Sequence, residues 1–175
     1  LSRAWGRLRL GDYDSSDPIF VDANVYLDYA LANPQTYKAI EEFFEKVEFF
    51  DLEAVTTPSV LDEVSYVLLM YKGAKILKTG DHRKIGNKIK KDESFAFRCY
   101  SVVDKFKEFL AVLKGQRIIS VSKNDFEKAS ILGKSHRLLP TDSLHAAVMK
   151  NNSILNIATR DSDFTRIDGV EIWKP

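Results

Sequence analysis

The feature that most constrains this chain is a run of short apolar segments that alternate with amphipathic helical stretches. Ile19-Phe20-Val21 stops abruptly at Asp22-Ala23-Asn24 before a helical stretch begins. Such a run is long enough for a buried strand and too short for a helix. From Pro34 to Phe49, Tyr37, Ile40, Phe44 and Val47 recur at helical spacing. Val55 and the threonines after it read as a very short strand or an extended link. Thr57 then reads as an N-cap with Pro58 at the first helical position, and Leu61, Val64, Leu68 and Tyr71 as the buried stripe of a second helix. Cys99, Val102, Phe106, Phe109 and Leu113 mark another helix, ending near Gly115. Ile118 to Val121 reads as a strand. Ser122 caps a helix to about His136, and Thr141 caps one to about Asn151. Ile154–Ala158 and Val170–Trp173 complete the strands. The alternation predicts an α/β fold, a mostly parallel central sheet flanked by helices, whose ligands bind beyond the carboxyl ends of the strands.

Composition agrees with one soluble domain. The chain has 175 residues, 45% of them hydrophobic, and the lone Cys99 cannot form an internal disulfide. A reducing, cytoplasmic setting fits best, and no apolar stretch approaches a membrane span. Residues 1–17, polar and carrying scattered charge, are expected to be a flexible N-terminal extension, with a single domain over 18–175. The balance of 26 Lys+Arg against 25 Asp+Glu hides a local concentration. Between residues 72 and 91 stand eight basic residues, among them Lys84, Lys88, Lys90 and Lys91, against the single acid Asp81. With Gly73, Gly80 and Gly86 and no long apolar stripe, this segment reads as a loop or mobile helical excursion. It is either a solvated face or an arm that contacts phosphates.

Two acids fall where such a sheet would place them together. Asp22 follows the first strand and Asp161 follows Ile154–Ala158, so both project at one sheet edge if the strands are parallel. Asp142 sits in a first helical turn, where by itself it reads as complementing the helix dipole and, taken with the other acids, as a member of the same cluster. Glu63 is three residues after Val60 and four before Val67, which places it beside the buried stripe and facing inward. Converging carboxylates repel each other, and burial penalises their charge. A divalent cation resolves both. Oxygen ligands without a His/Cys cluster favour Mg²⁺ or Mn²⁺. Such a centre suits phosphodiester hydrolysis without a Ser, Cys or His nucleophile.

Four ordered motifs then carry a resemblance: Phe20-Val21-Asp22-Ala23-Asn24, Ser59 to Val64, Pro140-Thr141-Asp142-Ser143-Leu144-His145-Ala146-Ala147, and Thr159-Arg160-Asp161-Ser162-Asp163-Phe164. Together they resemble the PIN-domain ribonucleases, and within them the VapC-like toxins of toxin–antitoxin modules, over about residues 18–175. The resemblance implies a Mg²⁺- or Mn²⁺-dependent endoribonuclease with Asp22, Glu63, Asp142 and Asp161 as its acidic centre and Asp163 as a further ligand. It also implies an RNA substrate, a small antitoxin partner and a homodimer. Asn24 either orients a ligated carboxylate or caps the following helix. Asp163 either ligates, directly or through water, or caps the turn that follows it. His145 is expected to pack or hydrogen-bond beneath the site. Glu63 and Asp142 lie 79 positions apart, more than in the compact VapC-like pattern, and the basic insertion accounts for the excess. A HAD-type phosphatase would need an acid where Asn24 stands, and a dinucleotide-binding fold a glycine-rich turn after the first strand. The competing reading is a PIN-like scaffold that binds RNA or protein without cleaving.

Overall fold

The structure, a computed structural model, describes residues 8–175. Six strands form one sheet: β1 (Leu8–Arg9), β2 (Ile19–Val21), β3 (Ala54–Thr56), β4 (Gln116–Ile118), β5 (Asn156–Ala158) and β6 (Glu171–Lys174). Their order is β1-β6-β5-β2-β3-β4, and every pairing is parallel. The helices are α1 (Ala23–Ala30), α2 (Tyr37–Glu48), α3 (Pro58–Leu77), α4 (His82–Lys91), α5 (Glu93–Val112), α6 (Lys123–His136) and α7 (Pro140–Asn151). The central strands β2, β3 and β5 are buried at every position, which is why they read as plain apolar runs. The chain winds from β2 to β3 and β4 on one side, then returns to β5 and β6 on the other. The reversal lies between β2 and β5. Among the described residues, no helix is long and apolar enough to cross a membrane.

Residues 8–17 belong to the fold and are not the flexible extension their composition suggests; residues 1–7 lie outside the described residues. Leu8 and Arg9 pair with Trp173 and Lys174, and Leu10 and Tyr13 are fully buried. The Tyr13 ring meets Trp173 edge-on at 4.7 Å, and Lys46 Nζ donates to the carbonyls of Gly11 and Tyr13. A two-residue strand among Ser, Asp and Gly has no periodicity to reveal it.

The basic segment is likewise ordered helix and not loop. The last turns of α3, then α4 and α5, close over a small second core of Leu69, Met70, Ile85, Phe95, Cys99 and Val103. Asp81 caps α4 by accepting from the backbone of Arg83 and Lys84. Asp92 caps α5 through Phe95 N and pairs with Lys88 at 2.8 Å. A single fully buried side chain, Ile85, anchors α4, so no long stripe is required. Gly73 makes the anchor possible, because a Cβ there would stand 2.5 Å from Ile85 Cγ2. Gly73→Ala is therefore expected to cost about 1–3 kcal/mol despite alanine's better helix propensity. Urea unfolding checks it.

Other boundaries shift for local reasons. β4 begins two residues earlier than the apolar run Ile118–Val121, because Gln116 accepts from the Tyr26 hydroxyl (2.6 Å) and donates to Ala54 O. Leu139, not Thr141, occupies the N-cap of α7. In α3 the buried positions are Val60, Val64, Leu68, Leu69, Met70 and Gly73, whereas Tyr71 is exposed, since the second half of the helix turns its buried face to α4 and α5. Thr57 caps α3 and Ser122 caps α6 as expected.

Candidate metal centre

The acids gather where β2 and β5 end, at the point where the sheet order reverses. Asp22 terminates β2 and is itself the N-cap of α1, accepting from Ala23 N at 2.7 Å. Its second oxygen accepts from Thr159 Oγ1 (2.6 Å) and from Asn24 Nδ2. Asn24 also donates to Thr159 Oγ1 and accepts from Arg160 N. Asn24 is therefore not the helix cap; it ties β2 to the loop after β5 and fixes Asp22.

The loop after β5 carries two further carboxylates. Asp161 N donates to Thr159 Oγ1, and Asp161 Oδ1 accepts from Asp163 N at 2.8 Å. Asp163 opens a 3-10 turn, Asp163–Arg166, whose cap position is Ser162, so it does not cap that turn. It pairs instead with Arg166 at 2.7 Å, and Arg166 in turn donates to Arg137 O. Asp142 comes from the first turn of α7, where Pro140 starts the helix.

One oxygen each of Asp142, Asp161 and Asp163 can lie within 4.8 Å of the others, and all three residues are half-buried. The crowding has an electrostatic consequence. Asp142 is pushed up to about 6, first by burial and then by the carboxylates of Asp161, Asp22, Asp163 and Glu63. Glu63 is also raised, by burial and then by Asp22. Asp22 and Glu63 thus face the trio electrostatically, although neither belongs to that closest set. Glu63 differs from its expected placement: it is exposed and does not face inward, because the inner face of this part of α3 is filled by Val60, Val64 and Leu68. Together with Asp62, Phe126, Ser130, Lys134 and Thr141 it lines a groove of about 950 Å³ beside the acids.

His145 lies 1% exposed, with its ring 5.4 Å from that of Phe20 and neither nitrogen hydrogen-bonded among the described residues. Burial lowers its pKa against the opposing pull of Asp22. It packs beneath the site as a neutral ring. Lys84, Lys88, Lys90 and Lys91 are exposed on α4, away from the acids; Gly73, where α4 docks, is ten residues beyond Glu63, about 15 Å along α3. Reading the sequence overlooked Thr159, Arg160 and Asp28. The first two stand inside a recognised motif, but nothing local signals that α1 would supply Asp28 as a partner for Arg160.

The donor set fits a hard divalent cation: oxygen atoms only, close together, and carrying more negative charge than their neighbours neutralise. The sign of the pH response follows. Asp142 holds its proton in the folded chain up to about pH 6 and in an unfolded chain only to about 4, so the metal-free protein loses stability as pH rises through that window. Mg²⁺ or Mn²⁺ is thus expected to raise the melting temperature more at pH 7.5 than at pH 5, where the proton competes. Differential scanning fluorimetry with EDTA as reference measures this.

An all-parallel sheet with carboxylates converging at its reversal point defines an α/β domain whose ligand site lies at that edge, and the family comparison is specific. The PIN domain matches residues 19–170, and the chain belongs to that family. No curated protein matches it. Among solved structures it is similar to PAE2754 from Pyrobaculum aerophilum, with a TM-score of 0.52 and 12% identity, over 91% of this chain and 92% of that one. It is also similar to a chain of VapBC2 from Rickettsia felis bound to a DNA fragment from their promoter, with a TM-score of 0.52 and 16% identity, over 90% of this chain and 98% of that one. At these identities the likeness concerns the fold.

Proposed function

We infer that the protein is a divalent-metal-dependent endoribonuclease that hydrolyses RNA phosphodiester bonds. The observation that carries this reading is the approach of Asp142, Asp161 and Asp163 within 4.8 Å, with no basic side chain paired to Asp142 or Asp161 among the described residues. These three would hold Mg²⁺ or Mn²⁺, with Asp22 and Glu63 completing the acidic centre. A bound divalent ion supplies water activation and neutralisation of phosphate charge at such a centre. The chain's own residues do the positioning. Thr159 and Asn24 hold the Asp22 carboxylate in one orientation, and the Asp161–Asp163 hydrogen bond shapes the loop that presents both acids. The buried, neutral His145 has no access to substrate.

The lysines of α4 extend the surface available to RNA. Lys84, Lys90 and Lys91 project from one helix, and Lys88 shares its charge with Asp92. They suit a backbone-following contact that adds affinity without sequence choice. A role as the toxin of a toxin–antitoxin pair, with a small antitoxin and a homodimer, accompanies the likeness to VapBC2, and the groove beside Glu63 offers such a partner a surface. A scaffold without turnover would have no use for carboxylates held this close at a cost in stability.

The test is cleavage of a mixed single-stranded and structured RNA pool in Mn²⁺, Mg²⁺ or EDTA, with Asp22→Asn beside the unaltered chain. Metal-dependent cleavage that the folded variant lacks supports the nuclease. Absence of cleavage under every condition, with RNA or partner binding retained, moves the reading to the scaffold.

A further inference from the structure

Arg160 sits between two members of the acidic network, yet its side chain leaves that network. Its backbone N–H donates to Asn24 Oδ1 at 3.0 Å. Its guanidinium runs along α1 to Asp28, where Nε lies 3.2 Å from Oδ2. Asn24 and Asp28 are four residues apart in α1 and so share one face, about one helical turn from each other. Asp28 is 6% exposed, and the same Oδ2 accepts from Thr36 Oγ1 at 2.9 Å. A buried carboxylate, itself braced by a hydroxyl, thus forms an ion pair whose nearest arginine atom is the inner nitrogen.

Among the described residues the Arg160 side chain makes no hydrogen bond beyond this ion pair, and it is half exposed. A guanidinium held through Nε keeps its terminal N–H fork in a fixed plane, the arrangement that suits a phosphate. We propose that Arg160 is a pre-oriented anchor for the RNA phosphate adjacent to the scissile one, with Asp28 as the residue that positions it. The anchor lies one turn along α1 from Asn24 and Asp22, so a strand whose scissile phosphate meets the acids passes its neighbouring phosphate over Arg160. This deepens the nuclease reading and rests on it, and RNA binding tests it independently of turnover.

The measurement is binding of a short single-stranded RNA in EDTA, by fluorescence anisotropy over a range of salt, for the unaltered chain, Arg160→Gln, and the double variant Arg160→Gln/Asp28→Asn. The double variant guards against misfolding, because it removes the buried charge that Arg160→Gln leaves unpaired. Loss of one phosphate contact is expected to flatten the log–log salt slope by about 0.7 in both variants. In Mn²⁺, KM is expected to rise about tenfold while kcat changes less than about twofold. A salt slope and KM unchanged in the folded double variant overturn the anchor and leave a structural strap, without touching the nuclease reading. Failure of the unaltered chain to bind RNA overturns the anchor as well. If RNA binds but is never cut, the salt slope alone decides for or against Arg160, and the nuclease reading falls separately.

Discussion

Asp142→Asn is expected to lower metal-dependent RNA cleavage by about a thousandfold, roughly 4 kcal/mol at the barrier, and at the same time to raise the melting temperature of the protein in EDTA. The two effects have one origin. Asp142 is half-buried at the start of α7, and its burial first, then the charges of Asp161, Asp22, Asp163 and Glu63, push its pKa up to about 6. An amide of the same shape removes that repulsion, so the metal-free fold relaxes, while the oxygen needed for a divalent ion loses its charge. The gain is expected above pH 6, where Asp142 is ionised, and to vanish toward pH 5. Melting curves across that range, beside initial rates in Mn²⁺, check both halves. A purely structural Asp142, there only to complement the dipole of α7, predicts the opposite stability effect.

Gly115→Ala is expected to destabilise the fold by about 3 kcal/mol, which for a chain of this size lowers the melting temperature by about 6–12 °C. Gly115 joins α5 to β4, where its N–H donates to Val47 O and its carbonyl accepts from Ala54 N. An added Cβ would lie 2.3 Å from Leu52 O and 2.8 Å from Val47 O. Both obstacles are backbone, so no rotamer change relieves them. Relief requires the end of α2 or the approach to β3 to move, and β3 is the neighbour of the strand that carries Asp22. Gly86→Ala in α4 is the contrast: nothing lies within 4 Å of its Cβ, and the better helix former should stabilise by up to about 1 kcal/mol. Thermal unfolding of the two variants side by side measures the difference.

The parallel sheet and the placing of Asp22 and Asp161 at one of its edges were legible because buried parallel strands are continuous apolar runs and because acids at their carboxyl ends must share an edge; Asp142, in the first turn of α7, joined them through the resemblance. Helix starts at Thr57 and Ser122 were legible through side-chain caps. Elements held by tertiary contact were not. Leu8–Arg9 is a strand only because β6 lies beside it, and α4 is a helix on its lysine-rich sequence only because Ile85 finds Gly73. Glu63 shows the limit of counting along a helix. Its spacing from Val60 and Val67 is compatible with an inward face, but Val60, Val64 and Leu68 define that face and leave Glu63 on the groove side. Likewise Asp163 ranks with Asp142 and Asp161 in space, a standing that the bend of the loop decides and spacing cannot.

The most direct test of the metal centre is Mn²⁺ binding at pH 7.5, followed by isothermal titration calorimetry in the unaltered chain and in Asp161→Asn. It requires no knowledge of the substrate. Saturable binding that the folded variant loses is the expected result, since Asp161 and its neighbours Asp142 and Asp163 present the closely spaced oxygens. No Mn²⁺ binding by the unaltered chain, or binding that Asp161→Asn leaves unchanged, contradicts the account.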